Sequence, residues 1–281
     1  MQRAPEQPAG VGRAVLAPLV AGSLLMAGSL LASCGGGSGG GSHPSAKSDA
    51  TTPARSAAVA APAGMQAPGA QWFSVDSSGG HRQLAAVLHP PQGGAAPLVV
   101  YLHGGDGLSN ENLAWVARLA QAGYLVVAGC WSPSGTSPAS LRCPQAPLSG
   151  GVDQLVAFAQ TLADRRPGAL AVVGGSAGAR AALGVSAPDT KAVVADSPIG
   201  VSASGATVSP VPVAPVLLLH GTGDHIASDA AIRQYEAGLR AMGRPVETAY
   251  YEGADHVVTL QPGVGADATA VVLAFLKGHL G

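Results

Sequence analysis

Ser176 stands between Gly174 and Gly178 in the stretch 169–183, ALAVVGGSAGARAAL. Residues 169–173 are uniformly apolar, as a buried parallel strand would be, and the Ala-rich run that follows favours helix. A serine at such a strand-to-helix turn is thrust clear of the sheet only if the residues two before and two after it have almost no side chain. Gly174 and Gly178 meet that demand. A serine hydroxyl of ordinary acidity is a poor nucleophile, so chemistry here needs a base, an acid to orient the base, and donors for an oxyanion. Two later segments offer the first two. The run 220–224, HGTGD, follows one apolar strand pattern, and 252–256, EGADH, follows another. Ser176, Asp224 and His256 therefore fall past the ends of three strands, in an order suited to acyl transfer through a covalent acyl-enzyme.

The G-x-S-x-G pattern by itself says little in a chain with 40 glycines among 281 residues. Residues 36–40 match it around Ser38, with neither a strand before nor a helix after. What distinguishes Ser176 is its setting. Strands are expected at 71–76 and 82–88, joined as an antiparallel hairpin through 77–80, then at 97–102, 124–128, 170–173, 191–195, 215–219 and 246–251. Helices are expected at 111–122, 152–162, 229–242 and 266–280, besides the one after Ser176. This alternation predicts an α/β fold: a mostly parallel, eight-stranded sheet with helices on both faces. Ligands bind such sheets at the carboxyl ends of the strands, where the candidate residues lie.

These segments resemble the α/β-hydrolase superfamily, and within it the dienelactone hydrolase-like and prolyl oligopeptidase-like branch, over roughly residues 72–280. The resemblance is carried by the His103-Gly104-Gly105 turn, the 174–178 elbow, HGTGD and GADH in that order. It implies Ser176 as nucleophile, His256 as general base and then acid, and Asp224 as the group that holds the imidazole. It also implies an oxyanion hole from the backbone N–H of Ala177 and of Gly105, with Asp106 as the alternative if the turn shifts by one residue. Dienelactone hydrolases proper carry a cysteine where this chain has Ser176, which leaves the fold expected and the lactone substrate not.

Other readings of the same residues stay open at this level. Ser176 could be a plain helix N-cap. Asp196, at another strand end, could be the orienting acid in place of Asp224. His103 is expected to prop the oxyanion turn, His220 to be structural, and His81, His89 and His279 to lie on the surface. Trp131, Asp106 and Ile199 are candidate substrate-binding residues, although Trp131 could equally cover the disulfide or the core rim, and Ile199 has the same ambiguity. The segment 198–215, rich in Ser, Gly, Val and Pro, lacks helical periodicity, so no large lid is expected and an open cleft for small or extended esters follows.

Composition sets the outer bounds. Hydrophobic residues make up 47% and charged residues 11%, with a net charge of −1, which suits a large core and excludes a charge-driven nucleic-acid binder. Arg3 and Arg13 followed by an apolar run and Leu31-Ala32-Ser33-Cys34 resemble a bacterial lipoprotein signal peptide (1–33). That implies lipid on Cys34, a membrane partner and an extracytoplasmic location, with residues 34–69 as a flexible Gly, Ser, Ala and Pro tether before a hydrolase domain at 70–281. In an oxidising compartment Cys130 and Cys143 are expected to pair, closing a loop worth about 3 kcal/mol in the chain-entropy picture. No cofactor or metal is expected. The function expected is a lipid-anchored carboxylesterase acting on a small-molecule ester. A peptidase of the prolyl oligopeptidase kind, or a catalytically inactive hydrolase fold serving as a binding lipoprotein, are the alternatives.

Overall fold

A computed structural model describes residues 55–76, 81–134, 140–141, 143, 146, 150–202 and 212–281. The expected signal peptide, Cys34, residues 34–54 of the expected tether, the 77–80 turn and half of the segment expected to lack a lid (203–211) lie outside the described residues.

Nine strands form one sheet in the order β1-β2-β3-β6-β4-β8-β9-β10-β11. They are β1 (Ser56–Val59), β2 (Gln71–Asp76), β3 (Arg82–Leu88), β4 (Ala96–Leu102), β6 (Leu125–Gly129), β8 (Arg165–Gly175), β9 (Thr190–Asp196), β10 (Val216–Gly221) and β11 (Val246–Tyr251). Two short strands, β5 (Leu108–Ser109) and β7 (Ser140–Leu141), pair separately. From β6 to β11 every pairing in the large sheet is parallel, and the first three strands join antiparallel.

The expected eight strands are all present. The ninth is a correction. Ser56–Val59 lies in the stretch assigned to the tether, yet it pairs antiparallel with Phe73 and its neighbours on the sheet edge. Met65, Ala67 and Ala70 then pack against the core, and Asn110 bonds the backbone of Gly64 and Gln66. The folded unit thus reaches back at least to Arg55 rather than starting at residue 70.

The sheet separates two apolar clusters because alternate side chains of each strand point to opposite faces. Val99 and Tyr101 of β4 join one cluster with α1 (Asn110–Gln121) and α5 (Gly265–Leu280). Leu98, Val100 and Leu102 join the other, with α2 (Gly151–Ala159), α3 (Ala177–Leu183) and α4 (Asp229–Ala241). Central strands such as β6 are buried at every position, which only a sheet covered on both sides allows. Ser109 caps α1 by accepting from the Asn112 amide, while the Asn112 side chain accepts from the Ser109 amide. This cap fixes where the start of α1 sits over the ends of the strands. The Cys130–Cys143 disulfide is formed, tying residues around 140–143 to the end of β6.

Candidate active site

The turns that follow β4, β8, β10 and β11 meet at one end of the sheet. Their glycines allow the meeting. A Cβ on Gly174 would lie 2.2 Å from the Gly178 carbonyl oxygen, and one on Gly178 would lie 2.0 Å from that of Leu102. Both elbow positions therefore exclude any side chain, and Ser176 between them is held at φ 57°, ψ −119°. Such a backbone is rare for a residue with a Cβ and is stable only when its surroundings impose it.

The HGTGD and EGADH turns are stitched to each other. The Thr222 amide donates to Tyr251 O, the Gly223 amide to Ala254 O, and the Gly253 amide to the Thr222 hydroxyl. A Cβ on Gly221 would strike the Ala254 carbonyl at 2.2 Å, so glycine is what lets the later turn cross over the end of β10. This stitching delivers Asp224 to His256. Asp224 Oδ2 accepts from His256 Nδ1 at 2.7 Å, while Oδ1 accepts from the amides of Ile226 and Ala227. The Asp224 carboxyl is shielded from solvent. Burial pushes its pKa up, but the bonds from His256, Ala227 and Ile226 outweigh burial and leave it below the ordinary value. An ionised carboxylate only accepts, so His256 carries its proton on Nδ1 and presents a basic Nε2.

Ser176 and His256 line one cavity of about 280 Å³ together with Gly104, Gly105, Asp106 and Tyr101. Val257 and Leu260 close another side. A second hollow of about 330 Å³ shares Glu111 and Leu260 with it and extends toward Trp115 and Arg118. The Tyr101 phenol is held well above its ordinary pKa by burial first, then by Asp196 and Glu111, and stays neutral. Glu111, Tyr101, Val257 and Leu260 were not legible as lining residues. The signal available for Glu111 was the Ser109 cap, which fixes the first turn of α1 at the strand ends.

His103 supports the first turn as expected. It is fully buried, and its Nδ1 donates to the Gly104 carbonyl at 2.7 Å, an oxygen that also accepts from the Gly107 amide. Burial lowers its pKa to about 4, so the ring is neutral at physiological pH. Gly105 lies on the cavity side of this turn, and Ala177 opens α3, where helix amides have no acceptor within the helix.

Two expectations are corrected. Trp131 does not line the cavity: its indole N–H donates to the His103 carbonyl at 3.1 Å and its ring lies against that of His103, so it braces the turn from behind. Ile199 is also absent from the lining of that cavity. Asp196 does not contact His256, and its bonds run to the backbone beyond it. His220 is buried behind Asp224, as a structural residue would be, and His89 is half-buried against Asp164 rather than fully exposed. Among the described residues no cluster of three or more His, Cys, Asp or Glu could hold a metal ion, and no helix is long and apolar enough to cross a membrane.

Residues 142–277 match the family model of the dienelactone hydrolase family. Among curated proteins, none matches the sequence significantly. Among solved structures, a puromycin-hydrolysing peptidase of Mycobacterium tuberculosis superimposes with a TM-score of 0.60 at 22% identity, over 75% of this chain and 39% of that one. Esterase 2 of the planctomycete Thermogutta terrifontis, with propionate bound, gives 0.59 at 17% identity, over 76% of this chain and 95% of that one. The acylaminoacyl peptidase of Pyrococcus horikoshii gives 0.57 at 16% identity, over 75% and 41%. The chain spans about two fifths of either peptidase.

Proposed function

We propose that this chain, which has an α/β-hydrolase fold and matches the dienelactone hydrolase family over residues 142–277, is a serine hydrolase that cleaves small carboxylic esters through Ser176, His256 and Asp224. The observation that carries this reading is the 2.7 Å bond from His256 to a buried Asp224, at the edge of a cavity that also holds Ser176 on a strained turn. His256 Nε2 takes the proton as Ser176 Oγ adds to the ester carbonyl, and Asp224 stabilises the resulting imidazolium. Collapse of the tetrahedral intermediate breaks the bond to the alcohol, which leaves with the proton from His256. Water, deprotonated by the same ring, then attacks the acyl-enzyme and restores the serine.

The intermediate's oxyanion is assigned to the amides of Ala177 and Gly105. A trans peptide sets the Gly105 N–H opposite the Gly104 carbonyl, and that carbonyl faces the His103 ring and the Gly107 amide. The Gly105 N–H is therefore turned to the other side, and a Cβ placed on Gly105 would meet only open space. Loss of one such donor costs about a hundredfold or more in rate. A volume of about 280 Å³ suits a short acyl group, and the adjoining hollow would take the alcohol portion.

A fluorophosphonate probe should label the wild-type protein and leave Ser176→Ala unlabelled. Among p-nitrophenyl esters the acetate and butyrate should turn over faster than the octanoate, and aminoacyl anilides more slowly than any. An unlabelled wild-type protein would leave a binding role, and preferred anilides would make it a peptidase. We also propose, on the sequence of residues 1–34, a lipid on Cys34 that holds the domain outside the cytoplasm. Incorporation of an alkynyl fatty acid should be lost in Cys34→Ala.

A further inference from the structure

We infer that Asp196 and Ser197 form a positioning pair that sets the spacing between the nucleophile turn and the histidine loop; the inference rests on the serine-hydrolase reading above. Asp196 is the last residue of β9, the strand between the one that leads into Ser176 and the one that leads toward Asp224. It is 2% exposed, and among the described residues it makes no ion pair. Its main-chain carbonyl accepts from the Ser176 amide at 2.9 Å. Its carboxylate faces the other way. Oδ1 accepts from the Val258 amide at 3.0 Å and from the Ser197 hydroxyl at 3.2 Å. Oδ2 accepts from the Thr259 amide at 2.9 Å and from the Thr259 hydroxyl at 2.6 Å. The Ser197 hydroxyl oxygen in turn accepts from the Val257 amide at 3.1 Å. Three consecutive amides after His256, and the amide of Ser176 itself, are thus held by one dipeptide.

The backbone angles support a role at the site. Among the described residues, the non-glycine residues with positive φ are Ser176, Ser197 and Val257, at 57°, 51° and 57°. Val257 is β-branched, for which this conformation is a genuine outlier. All three belong to this one network, and such backbone persists only when surrounding bonds over-determine it. The two loops also lie close together, since a Cβ on Gly175 would lie 3.1 Å from a Val257 methyl. Burial raises the Asp196 pKa, and the bonds from Thr259, Val258 and Ser197 act against it by favouring the charged form. A carboxylate so placed acts through Ser176 and His256 without touching substrate.

The test uses Ser197→Ala and Thr259→Val, each of which deletes one hydroxyl, with Thr259→Ser as the conservative restoration and Asp196→Asn as the strongest perturbation. Full-length variants that melt cooperatively are compared by kcat and KM on p-nitrophenyl butyrate. The expected result is a kcat lowered about tenfold in Ser197→Ala and Thr259→Val and about a hundredfold in Asp196→Asn, as for small misplacements of reacting groups. KM should stay within about twofold, and Thr259→Ser should recover most of the loss. Folded Ser197→Ala and Thr259→Val proteins with wild-type kcat would overturn the inference even if Asp196→Asn failed to fold, because the pair would then serve stability alone. A wild-type protein that neither turns over ester nor reacts with the fluorophosphonate would instead remove the serine-hydrolase reading, and this inference with it.

Discussion

Asp224 and Asp196 invite comparison: both are carboxylates sealed from solvent near the ends of neighbouring parallel strands, and either could have been the acid behind His256. The difference lies in how far each sits past its strand. Asp196 is the final residue of β9, still in register beside Leu219 of β10, and its side chain is taken up by the backbone at 258–259. Asp224 lies three residues beyond the end of β10, on a turn bonded to the loop after β11, and so reaches the imidazole. Strand-end location brings a residue to the site, and the length of turn beyond it decides which groups it can touch. Their acidities diverge accordingly. Burial dominates at Asp196 and raises its pKa, whereas bonds from an imidazole and two amides lower that of Asp224.

The largest effect expected from breaking this contrast is on kcat. Asp224→Asn should lower it by about ten-thousandfold, since the amide no longer enforces the required tautomer or stabilises the cation. Parallel kinetics on Asp196→Asn should give a loss about a hundred times smaller. Equal losses in the two variants would erase the distinction between an orienting acid and a positioning residue.

Stability should reverse the ranking. Asp196→Asn replaces one carboxylate oxygen with an NH2 that faces a buried amide and should cost roughly 3 kcal/mol, against about 1 kcal/mol for Asp224→Asn, as read from urea unfolding at neutral pH. The pH dependence carries opposite signs. Asp224, with a lowered folded pKa, contributes stability above its ordinary value of 3.8 that is lost as pH falls through the folded value. Asp196, with a raised one, contributes stability below 3.8 that is lost as pH rises through the folded value. Unfolding series from about pH 7 to about pH 3 should therefore show the wild-type advantage over Asp224→Asn shrinking with acid and that over Asp196→Asn growing.

His103 sharpens the picture on the far side of the cavity. Its pKa falls from 6.5 to about 4, so its contribution is present above 6.5 and is lost as pH drops toward 4. The loss should total roughly 3 kcal/mol and should be reduced in His103→Gln, as checked by the same titration. The smallest effect belongs to Trp131→Phe, which removes one indole bond to the His103 carbonyl. It should cost about 1 kcal/mol in melting experiments and leave the acyl-chain preference unchanged, since Trp131 is not among the residues lining the cavity.

Much of this arrangement was written locally. The glycines at 174 and 178, the alternation of apolar strands with helical periodicity, and the turns HGTGD and EGADH are short-range patterns whose steric demands can be read residue by residue. Other features depended on segments far apart in the chain. Ser56–Val59 is exposed at all four positions, with no apolar alternation to mark it, and became a strand only because the edge of β2 was free to accept it. Trp131 and Ile199 looked like cavity walls from their nearness to strand ends, yet neither lines the cavity that holds Ser176 and His256, and the Trp131 indole is bonded to the His103 carbonyl instead. Tyr101, Val257 and Leu260 entered the cavity through sheet register and the strained turn after His256. Sequence by itself determined which residues could react and which elements would carry them, because those are matters of side-chain chemistry and local sterics. Only the tertiary structure shows that Asp224, and not Asp196, meets the imidazole of His256, because that hydrogen bond requires a meeting of turns that no local pattern encodes.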